Sequence, residues 1–239
     1  MEQQVKPYNQ NSQKKEQVEQ MFDTIAPRYD LLNRLLSLGI DQSWRRALVR
    51  IVRLSGARRI LDVATGTGDL AILLAKGGGS VTGCDLSPRM IELGRAKVAQ
   101  RSLNISMELA DAENLPFTSG SFDGLTCAFG VRNFGDLEGG LSEFYRVLSS
   151  GGSLFILEFS TPTNSFMAWV YKFYFHRLLP MVGGLISGDR RAYSYLPKSV
   201  DAFVCGDKFL SLLRGAGFCH CSMQPLTFGV ATIYTAIKK

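Results

Sequence analysis

Residues 58–76 read RRILDVATGTGDLAILLAK, and their order decides the fold. Arg58 to Ala64 is a short apolar run with a charged start, as a buried strand requires. Thr65-Gly66-Thr67-Gly68 follows at once, and the apolar stretch LAILLAK is stopped by Gly77 and Gly78, as a helix would be. Strand, glycine turn and helix stand in that order. Glycine suits the turn because it accepts positive φ and lets a ligand approach the backbone where helix amides point outward. The turn alone does not choose a ligand. G-T-G-D-L-A carries Gly66 and Gly68 of a G-x-G-x-x-G pattern with Ala71 in the third place, so a plain structural turn and an NAD-dependent dinucleotide fold both stay open.

The same rhythm continues outward. SVTGCDLS is a strand ending in a carboxylate, PRMIELGRAKVAQRS a helix with Pro88 in its first turn and Ser87 as its N-cap, and ISMELADA a third strand. SFDGLTCAFGV, LEGGLSEFYRVLSSGG and SLFILEFS add strand, helix and strand, and GDKFLSLLRGAGF precedes a two-stranded hairpin in HCSMQPLTFGVATIYTAIKK. Alternation at this spacing predicts a doubly wound α/β fold: a mostly parallel seven-stranded sheet with right-handed crossovers. Upstream, helices are expected from Val18 to Leu36, broken at Pro27, and from near Asp41 through Trp44, Leu48, Ile51 and Val52. Residues 1–17 read as a flexible polar tail and 18–239 as one domain. Residues 163–200 form an apolar helical insertion before the last helix and hairpin, in which Lys172, His176 and Arg177 keep any apolar run short of membrane-spanning length.

Composition narrows the chemistry. With 46% hydrophobic and 20% charged residues the chain has an ordinary globular balance, and its first eighteen residues lack the apolar region of a secretory signal. Five scattered cysteines without CxxC spacing, among them Cys219 and Cys221 expected on one face of a strand, fit a reduced cytoplasmic protein. Two histidines and no paired thiolates offer no ordinary zinc site, so no metal is expected. Of the formal charge of +6, residues 1–60 hold +5, from eleven Lys/Arg against six Asp/Glu. Arg45, Arg46, Arg50, Arg53, Arg58 and Arg59 read first as a solvated helix face, with attraction to anionic lipid or nucleic acid as alternatives.

The acidic residues sharpen the glycine turn. Asp85 ends the second strand, where a carboxylate can accept from both hydroxyls of a ribose lying across the sheet's carboxyl edge. Asp111 ends the third strand and can accept from an adenine amino group, while the amide of Ala112 donates to a ring nitrogen. Asp62 either holds the glycine loop or sits near a ligand's amino group.

With these residues in place the chain resembles the class I methyltransferases, and within them the ubiquinone/menaquinone biosynthesis C-methyltransferase family, from about Val18 to its end. Tyr29-Asp30, Asn33, Ser37 and Trp44 match one family signature, Arg146-Val147-Leu148, Gly151-Gly152 and Glu158-Phe159-Ser160 a second, and Phe129 to Asn133 (FGVRN) a third. Asp41 stands where the family shows His, Leu32 where it shows Met, Ser149-Ser150 where it shows Lys-Pro, and Ala64 where methyltransferases often carry a first glycine. The resemblance implies S-adenosyl-L-methionine as cofactor, held by Gly66, Thr67, Gly68, Asp85, Asp111 and Ala112. It also implies a prenylated quinol as substrate, demethylmenaquinol first and a polyprenyl methoxy-benzoquinol as the alternative.

A phenol titrates near 10, so methylation of a ring carbon needs a group that stabilises the phenolate. Arg132 is expected to do so, with Asn133 orienting the ring and Tyr29 and Asp111 assisting; the structural alternative is a turn in which Arg132 and Asn133 meet Asp136 or Glu138. Phe166, Trp169, Val170, Phe173 and Arg177 recur at helical spacing and form either a prenyl groove, plain core or a homodimer contact. Five Lys/Arg against one Asp in residues 163–200 suit peripheral contact with the inner face of an anionic membrane. A nucleic-acid methyltransferase, the rival substrate class, would carry an NPPY-like or Pro-Cys element where FGVRN stands, so no nucleic-acid partner is expected. A non-enzymatic binding module would fail to bind the methyl donor.

Overall fold

The computed structural model describes residues 5–8, 12–162, 164–174, 177 and 190–239. Three helices come first: α1 (Lys14–Ile25), α2 (Tyr29–Leu36) and α3 (Ile40–Ser55). Then β1 (Arg59–Val63), α4 (Asp69–Lys76), β2 (Ser80–Asp85), α5 (Pro88–Gln100), β3 (Ile105–Leu109) and β4 (Phe122–Ala128) alternate. They are followed by α6 (Leu137–Val147), β5 (Leu148–Phe159), α7 (Ser165–Phe173), α8 (Arg190–Ala202), α9 (Asp207–Gly215), β6 (Phe218–Leu226) and β7 (Ala231–Lys238). The seven-stranded sheet runs β3-β2-β1-β4-β5-β7-β6. Its first five strands pair parallel, and β7 is antiparallel to both β5 and β6.

The expected doubly wound α/β class is therefore the observed one, and the order reverses between β1 and β4, where such sheets bind ligands. Alternation along the strands feeds two cores. Leu61, Val63, Leu125, Leu154 and Ile156 pack with Leu141 and Phe144 of α6 and Phe209 and Leu213 of α9. Ile60, Phe155 and Leu157 face the other way, toward Leu48 and Val52 of α3, Leu70 and Leu74 of α4 and Ile91 of α5. A third cluster caps the carboxyl ends of the strands: Val18, Met21 and Ile25 of α1, Leu32 of α2, Tyr171 of α7 and Tyr195 of α8.

Two boundaries move. Helix α1 begins at Lys14, inside the tail expected for residues 1–17, because Gln17 is buried and accepts from the Tyr8 amide at 2.8 Å. In β6 the pairing shifts between Cys219 and Ser222 and His220 adopts φ 50°, so the alternation that would align Cys219 with Cys221 is broken. Both cysteines are free. Of the 163–200 insertion, α7 and α8 are described; His176 lies outside the described residues.

Candidate active site

The turn after β1 is built by Asp62. Its carboxylate is 1% exposed and accepts from Thr65 Oγ1 at 2.7 Å and Thr126 Oγ1 at 2.6 Å, tying the turn to β4. Burial pushes this carboxyl up to about 6 despite both bonds. Of its two expected roles it takes the first, holding the loop. Ala64, where methyltransferases often carry a glycine, has φ 54°, a left-handed conformation that strains a residue with a Cβ.

The Gly66 amide donates to Asp85 at 2.8 Å and the Ser87 amide donates to the same carboxylate at 3.0 Å. Burial raises the Asp85 pKa, and those amides oppose it. Ser87 accepts from the Met90 amide and starts α5, as its place before Pro88 predicted. Asp111, at the end of β3, accepts from the Glu113 amide at 3.0 Å and pairs with Lys15 of α1. Gly66, Asp85, Asp111 and Ala112 converge on one cleft of about 70 Å³, walled by Lys15, Val18 and Phe22 of α1 and by Tyr29 and Asn133.

Thr67 and Gly68 do not join them. Thr67 Oγ1 donates to Asp30 of α2 at 2.6 Å and accepts from Lys97 at 2.8 Å, and Lys97 also pairs with Asp69 at 2.8 Å. Gly68, at φ 81°, precedes α4, and a Cβ there would meet the Met107 methyl at 3.5 Å. Thr67 fastens the turn to α2 and α5, and Gly68 packs toward Met107 of β3; the sequence could not reveal the first because Asp30 and Lys97 are distant in the chain.

Beside the cleft lies a larger, largely apolar cavity of about 290 Å³, close to the lower end of the ~300–1,000 Å³ typical of ligand pockets. Phe22, Tyr29, Phe129 and Asn133 are walls of both. Among the described residues its charged lining side chains are Asp41, Arg45 and Arg132. Arg132 Nη1 donates to Glu158 Oε1 at 2.7 Å and to the Phe129 carbonyl at 2.6 Å, with its guanidinium 5.3 Å from the Phe159 ring centroid. Its partner is thus Glu158, 0% exposed, and not Asp136 or Glu138; Asp136 instead caps α6 by accepting from Gly139 at 3.0 Å. Burial raises the Glu158 pKa and Arg132 opposes that rise. Asn133 accepts from the Tyr195 hydroxyl at 3.2 Å and donates to the Phe129 carbonyl at 3.3 Å. Phe129 itself holds φ 60°, which turns that carbonyl toward both side chains.

Lys14 braces the same loop by donating to the Arg132 and Phe134 carbonyls at 3.0 and 2.7 Å, and burial followed by the Arg132 charge lowers its pKa to about 8. Burial raises the Tyr29 pKa; Arg45, the hydrogen-bonded Asn33 and Arg132 oppose it.

Three residues at the site have contacts that sequence reasoning does not reach. Arg45, expected on a solvated helix face, is 7% exposed while Arg46, Arg50, Arg53, Arg58 and Arg59 are exposed. The available signal was its place on the stripe Asp41, Trp44, Arg45, Leu48 and Val52. Glu158 stands in the second family signature, but nothing local ties it to Arg132, and Lys15 carries no signal at all, since their partners lie 26 and 96 residues away. The expected stripe of α7 is split: Phe166, Trp169 and Phe173 are 52–69% exposed, whereas its Val170 lines the cavity together with Met167, Tyr171 and, just after the helix, Tyr174. Both faces of α7 are apolar, so periodicity could not choose between them.

The donor set of the small cleft suits S-adenosylmethionine: two carboxylates on neighbouring strand tips for hydroxyl and amino donors, an adjacent amide, and a bare Gly66 backbone. Its volume of about 70 Å³ is small for a nucleoside, and Lys15 and Phe22 of α1 are among the walls that narrow it.

Comparison with known proteins agrees. The model of the ubiE/COQ5 methyltransferase family matches residues 10–238. The ubiquinone/menaquinone biosynthesis C-methyltransferase of Geotalea daltonii is 49% identical over 232 residues, 95% of this chain and 98% of its own. The demethylmenaquinone methyltransferase of Bacteroides fragilis is 46% identical over 98% of this chain and 97% of its own. Among solved structures, a SAM-dependent methyltransferase from Thermotoga maritima superposes with a TM-score of 0.68 at 21% identity, covering 92% of this chain and 99% of that one, which speaks for the fold alone.

Proposed function

Because the chain belongs to the ubiE/COQ5 methyltransferase family and is an S-adenosylmethionine-dependent methyltransferase, we propose that it methylates a ring carbon of a prenylated quinol, demethylmenaquinol being the substrate. The observation that carries this reading is the pair of cavities meeting at Tyr29, Phe129 and Asn133, one holding the Asp85 and Asp111 carboxylates near the strand ends and one apolar with a buried guanidinium. S-adenosylmethionine supplies an electrophilic methyl on a cationic sulfur. Asp85 takes the ribose hydroxyls, Asp111 and the Ala112 amide take the adenine edge, and Gly66 leaves room for close approach. Transfer is in-line, so positioning of the ring carbon supplies most of the acceleration.

Arg132 stabilises the phenolate that makes the carbon nucleophilic; its Nε is buried without a hydrogen-bond partner. Asn133 and Tyr29 set the ring's orientation. The prenyl chain lies along Met167, Val170 and Leu196. Phe166, Trp169 and Phe173 on α7, and Leu31, Leu35 and Leu38 on and just after α2, are exposed beside Arg28, Arg34 and Lys172, which supports contact with an anionic membrane at the cavity mouth. Tyr174 joins these helices through the Leu36 carbonyl. No helix among the described residues is long and apolar enough to cross a membrane.

The test offers reduced naphthoquinol and reduced benzoquinol with methyl-labelled cofactor. A C-methyl product from the naphthoquinol is expected; label on neither ring, or on oxygen, refutes the reading. Vesicles with and without anionic lipid test the membrane face: Trp169→Ala should lower binding to anionic vesicles, whereas a dimeric mass that the same change abolishes would assign this face to a second copy.

A further inference from the structure

Arg45 is the second cation of the acceptor cavity and stands opposite Arg132 in a continuous stack. Its guanidinium lies 5.4 Å from the Phe129 ring centroid, Phe129 and Phe159 are 4.7 Å apart, and Arg132 lies 5.3 Å beyond on Phe159. The Arg45 side chain is 9% exposed, and its nearest carboxylate, Asp41 Oδ2, is 3.6 Å from Nε, too long for a hydrogen bond. Nε has no hydrogen-bond partner. Asp41 is held in turn by Ser37 Oγ at 2.6 Å and Gln42 Nε2 at 3.1 Å. A buried charged N–H left unsatisfied is unfavourable, so a guanidinium that lines the cavity with its Nε unbonded and only a long ion-pair contact to Asp41 marks a place for a ligand oxygen.

We infer that Arg45, positioned by Asp41, donates to the acceptor's second ring oxygen, the one para to the hydroxyl beside the reacting carbon. This rests on the quinol reading above. The assignment of the two oxygens follows from the walls. Arg132 lines the acceptor cavity beside Asn133 and two residues after Gly130, both of which border the cofactor cleft, so the oxygen beside the methylated carbon falls to Arg132. Arg45 and its neighbours Ser37, Ile40 and Asp41 border the acceptor cavity only, so they receive the far oxygen. Two guanidiniums thus select a ring bearing two oxygens over a simple phenol. The pKa of Tyr29, opposed by Arg45 and Arg132 together, reports the same convergence on the space between them.

The test compares two acceptors with labelled cofactor: the prenylated naphthoquinol, and 3-prenyl-1-naphthol, which keeps the hydroxyl beside the reacting carbon and lacks the para one. Losing a hydrogen bond to a charged group corresponds to about ten- to hundred-fold, so Arg45→Met should lose that much kcat/KM on the diol and less than about three-fold on the mono-ol. Cofactor affinity by calorimetry should stay unchanged. Asp41→Asn, which loosens the guanidinium without removing it, should raise KM for the diol more than it lowers kcat. Should Arg45→Met not fold, Arg45→Lys, which retains charge but no forked donor, must give the same selective loss at smaller size. Equal loss on both acceptors by a folded variant overturns the inference, whereas a wild-type protein that methylates neither acceptor overturns the quinol reading itself.

Discussion

Arg132→Met removes the cation from Glu158 and nothing else of comparable size. The carboxylate then sits at 0% exposure with the Phe159 amide, at 2.8 Å, as its one remaining strong donor. Removing one partner of a buried ion pair costs about 3–5 kcal/mol, and a chain of this length loses roughly 2–4 °C per kcal/mol, so the melting temperature should fall by about 6–20 °C at pH 8. Glu158 can escape part of that penalty by taking up a proton. Burial already raises its pKa, and without the Arg132 charge only backbone amides oppose that rise. In the variant the folded state therefore binds a proton that the unfolded chain releases above its ordinary value near 4.3. That stabilisation is present at low pH and lost as pH rises through the folded value, at up to about 1.4 kcal/mol per pH unit. Urea unfolding at pH 5.5 and pH 8 should show a smaller deficit at the lower pH, and Arg132→Met/Glu158→Leu should recover most of it. A variant within about 1 kcal/mol of wild type at both pH values, or a deficit independent of pH, would refute the buried-pair account. The same arithmetic bears on activity: loss of turnover in Arg132→Ala speaks for phenolate stabilisation only where unfolding has been excluded, and only if cofactor affinity survives.

The partly exposed Lys15–Asp111 pair must open for adenine to reach Asp111. Such pairs contribute about 0.2–1 kcal/mol, so Lys15→Ala should tighten S-adenosylmethionine binding by up to about five-fold in calorimetry, and weaker binding would contradict the placement of adenine. Asp62, raised from 3.8 to about 6, makes the folded protein less stable as pH climbs from 4 to 6, by on the order of 3 kcal/mol. Asp62→Asn should therefore gain on the wild type by that amount between pH 4 and pH 7 in denaturant titrations; parallel curves would count against it. Ala64→Gly relieves the φ of 54° and should raise stability by about 1 kcal/mol, read as a melting temperature higher by roughly 2–4 °C, whereas a fall would show the Ala64 methyl to matter more than its strain.

The sequence by itself determined what repeats along a backbone: the alternation of strand and helix, the turn at Thr65–Gly68, the Ser87 cap before Pro88, and the carboxylates of Asp85 and Asp111 at strand tips. Each of these follows from a local period or from a turn that only certain residues can make, so neighbours in the chain suffice to read it. Tertiary structure alone decided that Thr67 belongs to Asp30 and Lys97, that Lys15 covers Asp111, that Arg132 rests on Glu158, and that Arg45 turns inward while five neighbouring arginines stay in water. Those outcomes depend on which side chains two packed elements bring within about 3 Å of each other, and no local pattern carries the relative placement of residues 26 to 96 positions apart.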